Sequence, residues 1–266
     1  MIVSRSERAM NYIVLIAFAV FALAPILVIL WTALAPTASS DGGLGVFAQA
    51  WSEANFSVYM RTSLLVALVV VLTATVSSIM AGFALGAMTF RGSGLWFSVF
   101  LFGLMIPAEA IVVPLFFDLR ELGLTDTLWA VALPQIAQSI AFGTYWMRAY
   151  FRAAPPSLIE AATLDGASTR QILWRILVPV GRPAIVTLVL LTFMWTWNEF
   201  LIPLVMSPSG TYRTAPLALA LFKGQHVQAT SLLAAAAVLV ALPVVVLYLF
   251  LQRHFIRGMI EGAVRE

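Results

Sequence analysis

Six long apolar stretches constrain this chain more than any other feature of its sequence. They lie at about residues 11–34, 62–88, 94–117, 126–147, 183–206 and 230–251. A helix needs about 20 predominantly apolar residues to cross the hydrocarbon core of a bilayer. The stretches are continuous, whereas the strands of a transmembrane barrel alternate between apolar and polar residues. The sequence therefore predicts an all-α integral membrane protein in which six transmembrane helices form a single domain over residues 1–266.

The composition agrees with a membrane environment. Of the 266 residues, 62% are hydrophobic and only 10% are charged, whereas soluble domains carry roughly 25% charged residues. The first apolar stretch follows Arg5 and Arg8, as a signal peptide would, but it is longer than the roughly 7 to 15 residues of a signal core and is followed by Pro36. We expect it to be retained as a span. Prolines in or near the stretches predict kinks or breaks, at positions 25, 107, 114, 134, 203 and 243.

The positions of the cations predict the orientation in the membrane. If the N-terminus is cytoplasmic, the inside segments hold eleven of the 15 lysines and arginines, and the outside segments hold Arg61, Arg120, Arg213 and Lys223. Cytoplasmic segments carry an excess of Lys and Arg. We therefore expect a multi-pass protein of a bacterial or archaeal cytoplasmic membrane with both termini in the cytosol. The basic residues lie beside membrane ends, so they do not indicate nucleic-acid binding.

The sequence contains no signature of an enzyme or of a metal site. It has no cysteine and two histidines, too few for zinc coordination or disulfides. Its single lysine, Lys223, follows Phe222 rather than the glycine-rich turn of a phosphate-binding loop. We therefore expect no catalytic residue, no metal and no cofactor in this chain.

A polar segment at about residues 152–182 separates the fourth and fifth apolar stretches. Pro155-Pro156 ends the preceding helix, and Ser157 with Glu160 predicts a capping box that begins a new helix, which stops at Gly166. Ser168 with Gln171 repeats the box, and the apolar face of the second helix is formed by Ile172, Leu173, Ile176 and Leu177. This pattern predicts a helix, a tight turn and a helix on the cytoplasmic side.

The same segment resembles the EAA loop of permease subunits of bacterial binding-protein-dependent ABC importers. The resemblance lies in Glu160-Ala161-Ala162, Asp165-Gly166-Ala167 and Ile176-Leu177-Val178-Pro179. With residues 197–204, residues 252–258 and six spans, the chain is similar to the shorter permease of maltose-type carbohydrate importers. That resemblance implies half of a translocation pathway for a sugar, completed by a second permease in a heterodimer.

The resemblance also implies partners and site residues. A dimer of ABC ATPase subunits, which binds ATP and Mg²⁺, would dock on the coupling loop, and an extracytoplasmic solute-binding protein would deliver the sugar. The residues implied in ATPase coupling are Glu160, Ala161, Ala162, Asp165 and Gly166. Glu160 would pair with a basic group of the ATPase or only cap its helix, Gly166 would make the turn, and Asp165 would cap the second helix or meet the partner.

Polar residues within the apolar stretches form a second candidate site. Glu109, Gln135, Gln138, Asn198 and Glu199 lie at a similar depth in spans three, four and five. Ionisable side chains at this depth are costly if they face lipid, so we expect them to line the bundle interior or a water-filled cavity. Two interpretations remain: the residues contact the sugar, or they form interhelical hydrogen bonds. Gly82 and Gly86, four residues apart, predict close helix packing.

The outer segment 207–229 is the third candidate site. In the family that the chain resembles, the corresponding loop enters the sugar cleft of the binding protein, which implies contacts by Tyr212, Lys223, Gln225 and His226. A plain connecting loop is the alternative. Three other functions remain open: an ABC importer for a non-sugar solute such as a glycerol phosphate, a proton- or ion-coupled secondary transporter, and a membrane scaffold or receptor.

Overall fold

Helices form the regular structure throughout the part of the chain that a computed structural model describes, residues 5–36, 42–53, 55–225 and 230–263. The helices are α1 (Arg5–Leu34), α2 (Gly45–Glu53), α3 (Phe56–Ala87), α4 (Ser93–Met105), α5 (Ala108–Glu121), α6 (Leu128–Ala153), α7 (Pro156–Leu164), α8 (Thr169–Gln171), α9 (Val178–Val180), α10 (Arg182–Asn198), α11 (Leu201–Met206), α12 (Ala215–Gln225) and α13 (Thr230–Ala263). A π-helical segment, Ile172–Leu177, joins α8 to α9. The prediction of an all-α chain is confirmed for these residues.

The helices that can cross a membrane are fewer than the six stretches predict. Within the described residues, three helices are long and apolar enough: Glu7–Leu34, Phe56–Ala87 and Thr230–Gln252. The number rises to five if each of two bent helix pairs makes one span. α6 covers the fourth stretch and has 26 residues, but Gln135 and Gln138 lower its hydropathy. A sixth span therefore stays a prediction.

Two of the predicted spans are broken rather than straight. α4 and α5 meet at an angle of 97°, and the break falls at Ile106, which is extended, and Pro107. Proline has no N–H to continue the helix and disfavours the helical conformation of the residue before it. The fifth stretch ends its main helix at Asn198, and Glu199 is extended before α11 begins. The other flagged prolines at positions 25, 114, 134 and 243 lie inside helices.

The chain divides into two compact units. The first comprises Met1–Val58 and Ala218–Leu242, and the second Tyr59–Leu217 and Pro243–Glu266. In the first unit α1 is exposed along its apolar length, with none of its best apolar window buried, and Trp51 stacks on Phe56 with ring centroids 6.3 Å apart. The apolar surface of α1 is large, so it requires lipid or another protein to cover it.

The second unit contains two apolar clusters that position both candidate sites. One joins α3, α5, α6 and α11 through Val66, Val70, Val112, Leu119, Ala130, Val131, Ala132, Ile136, Ile202 and Met206. The other joins the segment after α6 to α3, α6 and α10 through Ile79, Phe83, Met147, Phe151, Ala162, Ile172, Leu173, Leu177 and Leu188. Burying a large apolar side chain contributes roughly 1.5 to 3 kcal/mol. The second cluster therefore attaches the polar segment firmly to the helices.

The predicted close packing at Gly82 and Gly86 is confirmed. A Cβ atom added to Gly82 would lie 2.6 Å from Cβ of Met147, and one added to Gly86 would lie 2.9 Å from the Arg148 carbonyl oxygen. The Arg148 Nε donates a hydrogen bond to the Leu85 carbonyl at 3.1 Å. Its guanidinium lies over the Phe97 ring, 3.7 Å from the centroid. α6 thus packs closely against α3 because the two glycines have no side chains. The cation–π contact of Arg148 with Phe97 holds α6 against α4.

Candidate functional site

The polar segment between α6 and α10 begins with a proline cap. Pro155 is the N-cap residue of α7, Pro156 occupies the first helical position, and no side chain caps the helix. The predicted capping box of Ser157 with Glu160 is therefore wrong. The fixed φ of proline suits the first helical position, so α7 starts before Ser157 and Glu160 lies well inside it. A purely capping role for Glu160 does not fit this geometry.

The turn after α7 is a Schellman motif. The N–H of Ala167 donates to the Ala162 carbonyl, and the N–H of Gly166 donates to the Thr163 carbonyl, each at 3.0 Å. Gly166 has φ of +77°, a conformation that glycine adopts without a Cβ penalty. The predicted turn at Gly166 is confirmed. Asp165 is the C-cap residue of α7, so it does not cap the second helix.

The second helix of the segment starts with the predicted box. The Ser168 side chain accepts from the Gln171 N–H, and the Gln171 side chain accepts from the Ser168 N–H. These two bonds satisfy backbone donors at the start of the helix. Ile172 and Leu173 are each 6% exposed and Leu177 is fully buried, while Ile176 is partly buried. The predicted apolar face therefore forms, although its backbone is π-helical.

The exposed and buried faces of α7 divide the five predicted coupling residues. Glu160, Ala161, Asp165 and Gly166 are exposed, whereas Ala162 is 6% exposed and belongs to the apolar cluster. Leu164 is 89% exposed, and sequence reasoning missed it. It lies four residues after Glu160, so the two side chains share one face of the helix. That face presents a carboxylate beside an unburied apolar group.

Hydrogen bonds join the segment to α6 and join α6 to the start of α10. The Tyr150 hydroxyl donates to the Leu177 carbonyl at 3.3 Å, and burial raises the pKa of Tyr150, which keeps the hydroxyl protonated. The indole Nε1 of Trp146 donates to the Ala184 carbonyl at 3.0 Å. A Cβ atom added to Gly181 would lie 2.7 Å from the Tyr150 ring. The end of the segment is therefore packed closely against α6 where α10 begins.

A cavity of about 510 Å³ lies where α4, α5, α6 and α10 meet. Its lining comprises Gly103, Leu104, Ile106, Ala108, Gln135, Gln138, Ser139, Phe142, Leu191, Met194, Trp195, Thr196, Asn198 and Glu199. The structure thus brings together four of the five predicted pathway residues. Both helix breaks, after α4 and after α10, border the cavity. Irregular backbone at membrane depth is tolerated where it lines such a space.

The polar side chains of the cavity do not link helices to one another. Gln135 Nε2 donates to the Val131 carbonyl and Asn198 Nδ2 to the Met194 carbonyl, each within its own helix. Glu199 Oε1 accepts from the Ile202 N–H at 3.0 Å, which satisfies a donor at the start of α11. The interpretation that these three residues form interhelical hydrogen bonds is therefore wrong for the described part of the chain. Glu109 is exposed in the first turn of α5 and does not line the cavity.

Sequence reasoning missed the hydroxyl and aromatic residues of the cavity. Ser139 lies one helical turn after Gln135, and Thr196 lies three residues before Glu199, so helical periodicity would have found both. Trp195 also lines the cavity, is 50% exposed, and its ring meets Phe142 edge to face with centroids 4.6 Å apart. Among the residues that the structure describes, no three His, Cys, Asp or Glu side chains form a group that could hold a metal ion.

The third candidate site differs from the predicted loop because α12 occupies much of it. The turn before α12 is held by Asp126, whose Oδ1 accepts from the Ser207 hydroxyl and from the Ser209 N–H at 3.1 and 3.0 Å. The Tyr212 N–H donates to the Ser207 hydroxyl at 3.0 Å, and the Tyr212 side chain is partly buried. Lys223 and Gln225 lie on α12, but their side chains, and His226 altogether, lie outside the described residues.

The chain is similar to membrane components of transport systems. Residues 78–261 match the family described as "Binding-protein-dependent transport system inner membrane component". The trehalose transport system permease protein SugB of Mycobacterium tuberculosis is 32% identical over 98% of this chain and 99% of that protein. The arabinooligosaccharides transport system permease protein AraQ of Halalkalibacterium halodurans is 33% identical over 82% of this chain and 78% of that protein. The trehalose/maltose transport system permease protein MalG of Thermococcus litoralis is 32% identical over 79% of this chain and 76% of that protein.

A solved structure has a similar fold. It is a bacterial ABC transporter involved in the import of the acidic polysaccharide alginate, one chain of which superposes with a TM-score of 0.78. The two chains are 24% identical, and the match covers 95% of this chain and 98% of the other. A second structure, of a bacterial alginate ABC transporter in complex with an alginate pentasaccharide-bound periplasmic protein, gives a TM-score of 0.67 at 18% identity.

Proposed function

Because this chain belongs to the family of inner-membrane components of binding-protein-dependent transport systems, we propose that it forms half of the translocation pathway of an ATP-driven sugar importer. A second permease subunit completes the pathway, and a solute-binding protein delivers the sugar from outside the cytoplasmic membrane. The relatives named for trehalose, maltose and arabino-oligosaccharides support a sugar as the solute. This chain carries no ATP-binding motif, so a separate ATPase dimer binds ATP and Mg²⁺.

The observation that carries the proposal is the exposed face of α7 on a segment that is packed into the helices. The Glu160 carboxylate is exposed and makes no ion pair within the described residues, and Leu164 beside it is exposed at 89%. A free carboxylate next to an apolar side chain suits a partner surface that offers a basic group beside an apolar pocket. We assign that surface to the ATPase subunit.

Coupling requires that the docked face move the membrane helices. Ala162 on the buried side of α7 packs in the same cluster as Phe83, Met147 and Phe151. Close-packed interiors transmit strain because they have few voids that absorb a shift. A movement of the ATPase against Glu160 therefore reaches α3 and α6 through Ala162, and α10 through Gly181.

The Asp126 turn and the following residues form the proposed contact with the binding protein. Asp126 accepts hydrogen bonds from Ser207 and Ser209, and Ser207 accepts one from the Tyr212 N–H, so hydrogen bonds within the chain already hold this turn. A preorganised loop loses less conformational entropy on binding. In this proposal the turn, together with Lys223, Gln225 and His226, faces the outside.

Reconstitution tests the proposed function directly. The chain alone, purified in detergent, should neither bind nor hydrolyse ATP. With its partner permease, the ATPase and the loaded binding protein in liposomes, it should support sugar uptake that stops with vanadate and continues when a protonophore collapses the proton gradient. Uptake that resists vanadate and stops with the protonophore would replace this proposal with a secondary transporter.

A further inference from the structure

We propose that Arg148 and Arg152, near the end of α6, bind the phosphate of an anionic phospholipid headgroup at the membrane surface. This inference goes beyond the proposed function, because it concerns a lipid and does not depend on the transported solute. It rests on the level at which the two arginines lie, on the contacts that hold Arg148, on the lack of neighbouring carboxylates and on the exposed surface beside the pair.

Arg148 lies where three predicted spans end or begin. Its Nε donates to the carbonyl of Leu85, two residues before the end of α3, and its guanidinium lies over Phe97 in the second turn of α4. Arg148 itself directly follows the fourth apolar stretch, at about residues 126–147. Long arginine side chains near the ends of spans extend toward the membrane interface. The contacts of Arg148 therefore place it at the level of the lipid headgroups.

Two contacts hold the Arg148 guanidinium and leave its terminal nitrogens available. The Leu85 carbonyl occupies Nε at 3.1 Å, and the Phe97 ring centroid lies 3.7 Å from Cζ. Within the described residues neither terminal nitrogen has a hydrogen-bond partner, and the side chain is partly exposed. A guanidinium fork binds two oxygens of a phosphate at once. A side chain that is already positioned loses less conformational entropy on binding.

Arg152 adds a second cation beside the first. It lies one helical turn after Arg148, so both side chains lie on one side of α6, where the two charges repel each other. Arg152 is exposed. No Asp or Glu occurs in residues 85–99 or 141–154, and neither arginine forms an ion pair within the part of the chain that the structure describes. An anion between the two arginines would relieve their repulsion and accept charge-assisted hydrogen bonds from both.

The exposed surface next to the two arginines is aromatic and apolar. Tyr145, one turn before the first arginine, is 46% exposed and stacks on Phe97 with ring centroids 6.4 Å apart. Trp96 is also exposed, and Val99 and Phe102 follow it at helical spacing as exposed apolar side chains. Tyr and Trp are enriched at the headgroup level of membrane proteins. A phospholipid would place its phosphate on the arginines and its acyl chains on this face of α4, which a free phosphate ion would leave uncovered.

The absence of cysteine from the sequence allows a single reporter at the site. Ala149 is exposed beside Arg148, and Ala149→Cys carries a fluorophore in a complex with a partner permease and ATPase that have no accessible thiol. The complex is embedded in phosphatidylcholine nanodiscs. A small fraction of phosphatidylglycerol or phosphatidylcholine is then included, each with the same nitroxide-labelled acyl chain. Quenching by the two labelled lipids gives the relative affinity of the site for them.

We expect the site to favour phosphatidylglycerol over phosphatidylcholine about 5- to 30-fold, because each cation near an anionic headgroup contributes roughly fivefold. Arg148→Gln and Arg152→Gln should each reduce this preference about fivefold. Arg120→Gln, an equal change at an exposed arginine near the end of α5, should leave it unchanged. Arg152 is exposed, so Arg152→Gln should fold even if Arg148→Gln does not.

Phe97→Leu separates a built site from a general attraction between charges. Leucine removes the ring under the guanidinium without changing any charge, so the preference should fall about two- to fivefold, and an unchanged preference would contradict a positioned Arg148. The proposal is overturned if the complex shows no preference for phosphatidylglycerol, or if Arg120→Gln reduces the preference as much as Arg152→Gln does. Loss of the preference when the ATPase joins the two permeases would assign the arginines to a protein partner and would overturn the proposal as well.

Discussion

Glu160 is an exposed charge on a helix that is otherwise held by apolar contacts. The side chain neither caps α7 nor pairs with another described residue, so it adds little to the stability of this chain by itself. Exposed carboxylates can be replaced at small cost to folding. A large effect of changing Glu160 would therefore report on a partner rather than on the fold.

Reversing the charge of Glu160 should uncouple the ATPase while leaving the chain folded. Glu160→Lys places a cation where the partner is proposed to offer one, and loss of one member of a close interfacial pair costs about 2 to 5 kcal/mol. The variant should insert normally but lose the ATPase on affinity purification, or keep it without stimulation by the loaded binding protein. Glu121→Lys, an equal change at another exposed carboxylate, should behave as wild type.

A second variant separates the charge of the loop from its shape. Gly166→Val forces a β-branched residue to a φ of +77°, although a Cβ at this position would meet no atom within 4 Å. It should uncouple the complex as Glu160→Lys does, but through a distorted turn. An acidic substitution of the partner's basic residue should restore Glu160→Lys and not Gly166→Val. If Glu160→Lys transports sugar at the wild-type rate with the ATPase bound, the assignment of Glu160 is wrong.

The segment from α7 to α9 behaves as one element because of how its end meets α10. Thr169–Val180 and Arg182–Asn198 form an angle of 79°, and Gly181 at the corner is buried against Tyr150. The π-helical segment Ile172–Leu177 lies shortly before this corner, separated from Gly181 by α9. π-helical turns are rare and frequent at functional sites. In the proposed coupling, a push on α7 would pass through this corner to α10.

Adding a methyl group at the corner should change coupling more than insertion. Gly181→Ala brings a Cβ atom to within 2.7 Å of the Tyr150 ring, and overpacking of this kind costs about 1 to 3 kcal/mol. The binding-protein-stimulated ATPase rate should fall, while membrane insertion and ATPase association persist. Gly94→Ala is the control because its Cβ would meet nothing within 4 Å. A double variant with Tyr150→Leu should regain part of the rate, and unchanged stimulation in Gly181→Ala would contradict a tight corner.

Elements with strong local signals could be predicted from the sequence, and those that depend on packing could not. The Ser168 box and the Gly166 turn are local hydrogen-bond patterns, and both are present. Ser157 with Glu160 also matches the capping-box pattern, but the box does not form because the helix already begins at Pro156. Pro107 predicts a kink or a break near Ile106, but the sequence does not predict the angle of 97°, since hydropathy stays high across the break. The cavity required knowledge of which faces of α6 and α10 meet, which a single sequence does not contain.

The exposed apolar surface of α1 and the distribution of cations along the whole chain are the two features that predict its placement in a membrane. The apolar part of α1 is exposed, so it requires lipid or another protein to cover it. The described helices include three to five candidate spans, whereas sequence hydropathy predicts six because it also counts the stretch that α6 covers. If α6 crosses the membrane as predicted, its two glutamines line a cavity, which would keep them away from lipid.

The predicted orientation rests on the distribution of cations, and the proposed contact between the α7 face and an ATPase depends on it. Eleven lysines and arginines lie in the segments predicted to be inside and four in those outside, a bias that favours cytoplasmic termini.

Reporter fusions after Phe90, within residues 148–182 and at the C-terminus should score as cytoplasmic, and fusions within 35–61 and 207–229 as external. Introducing arginines into 35–61 should reduce the fraction with this orientation, whereas matched glutamines should not, because acidic and neutral residues contribute little to topology. An external score near Glu160 would place the exposed carboxylate on the wrong side of the membrane for an ATPase. The proposed coupling of Glu160 to an ATPase would then be wrong.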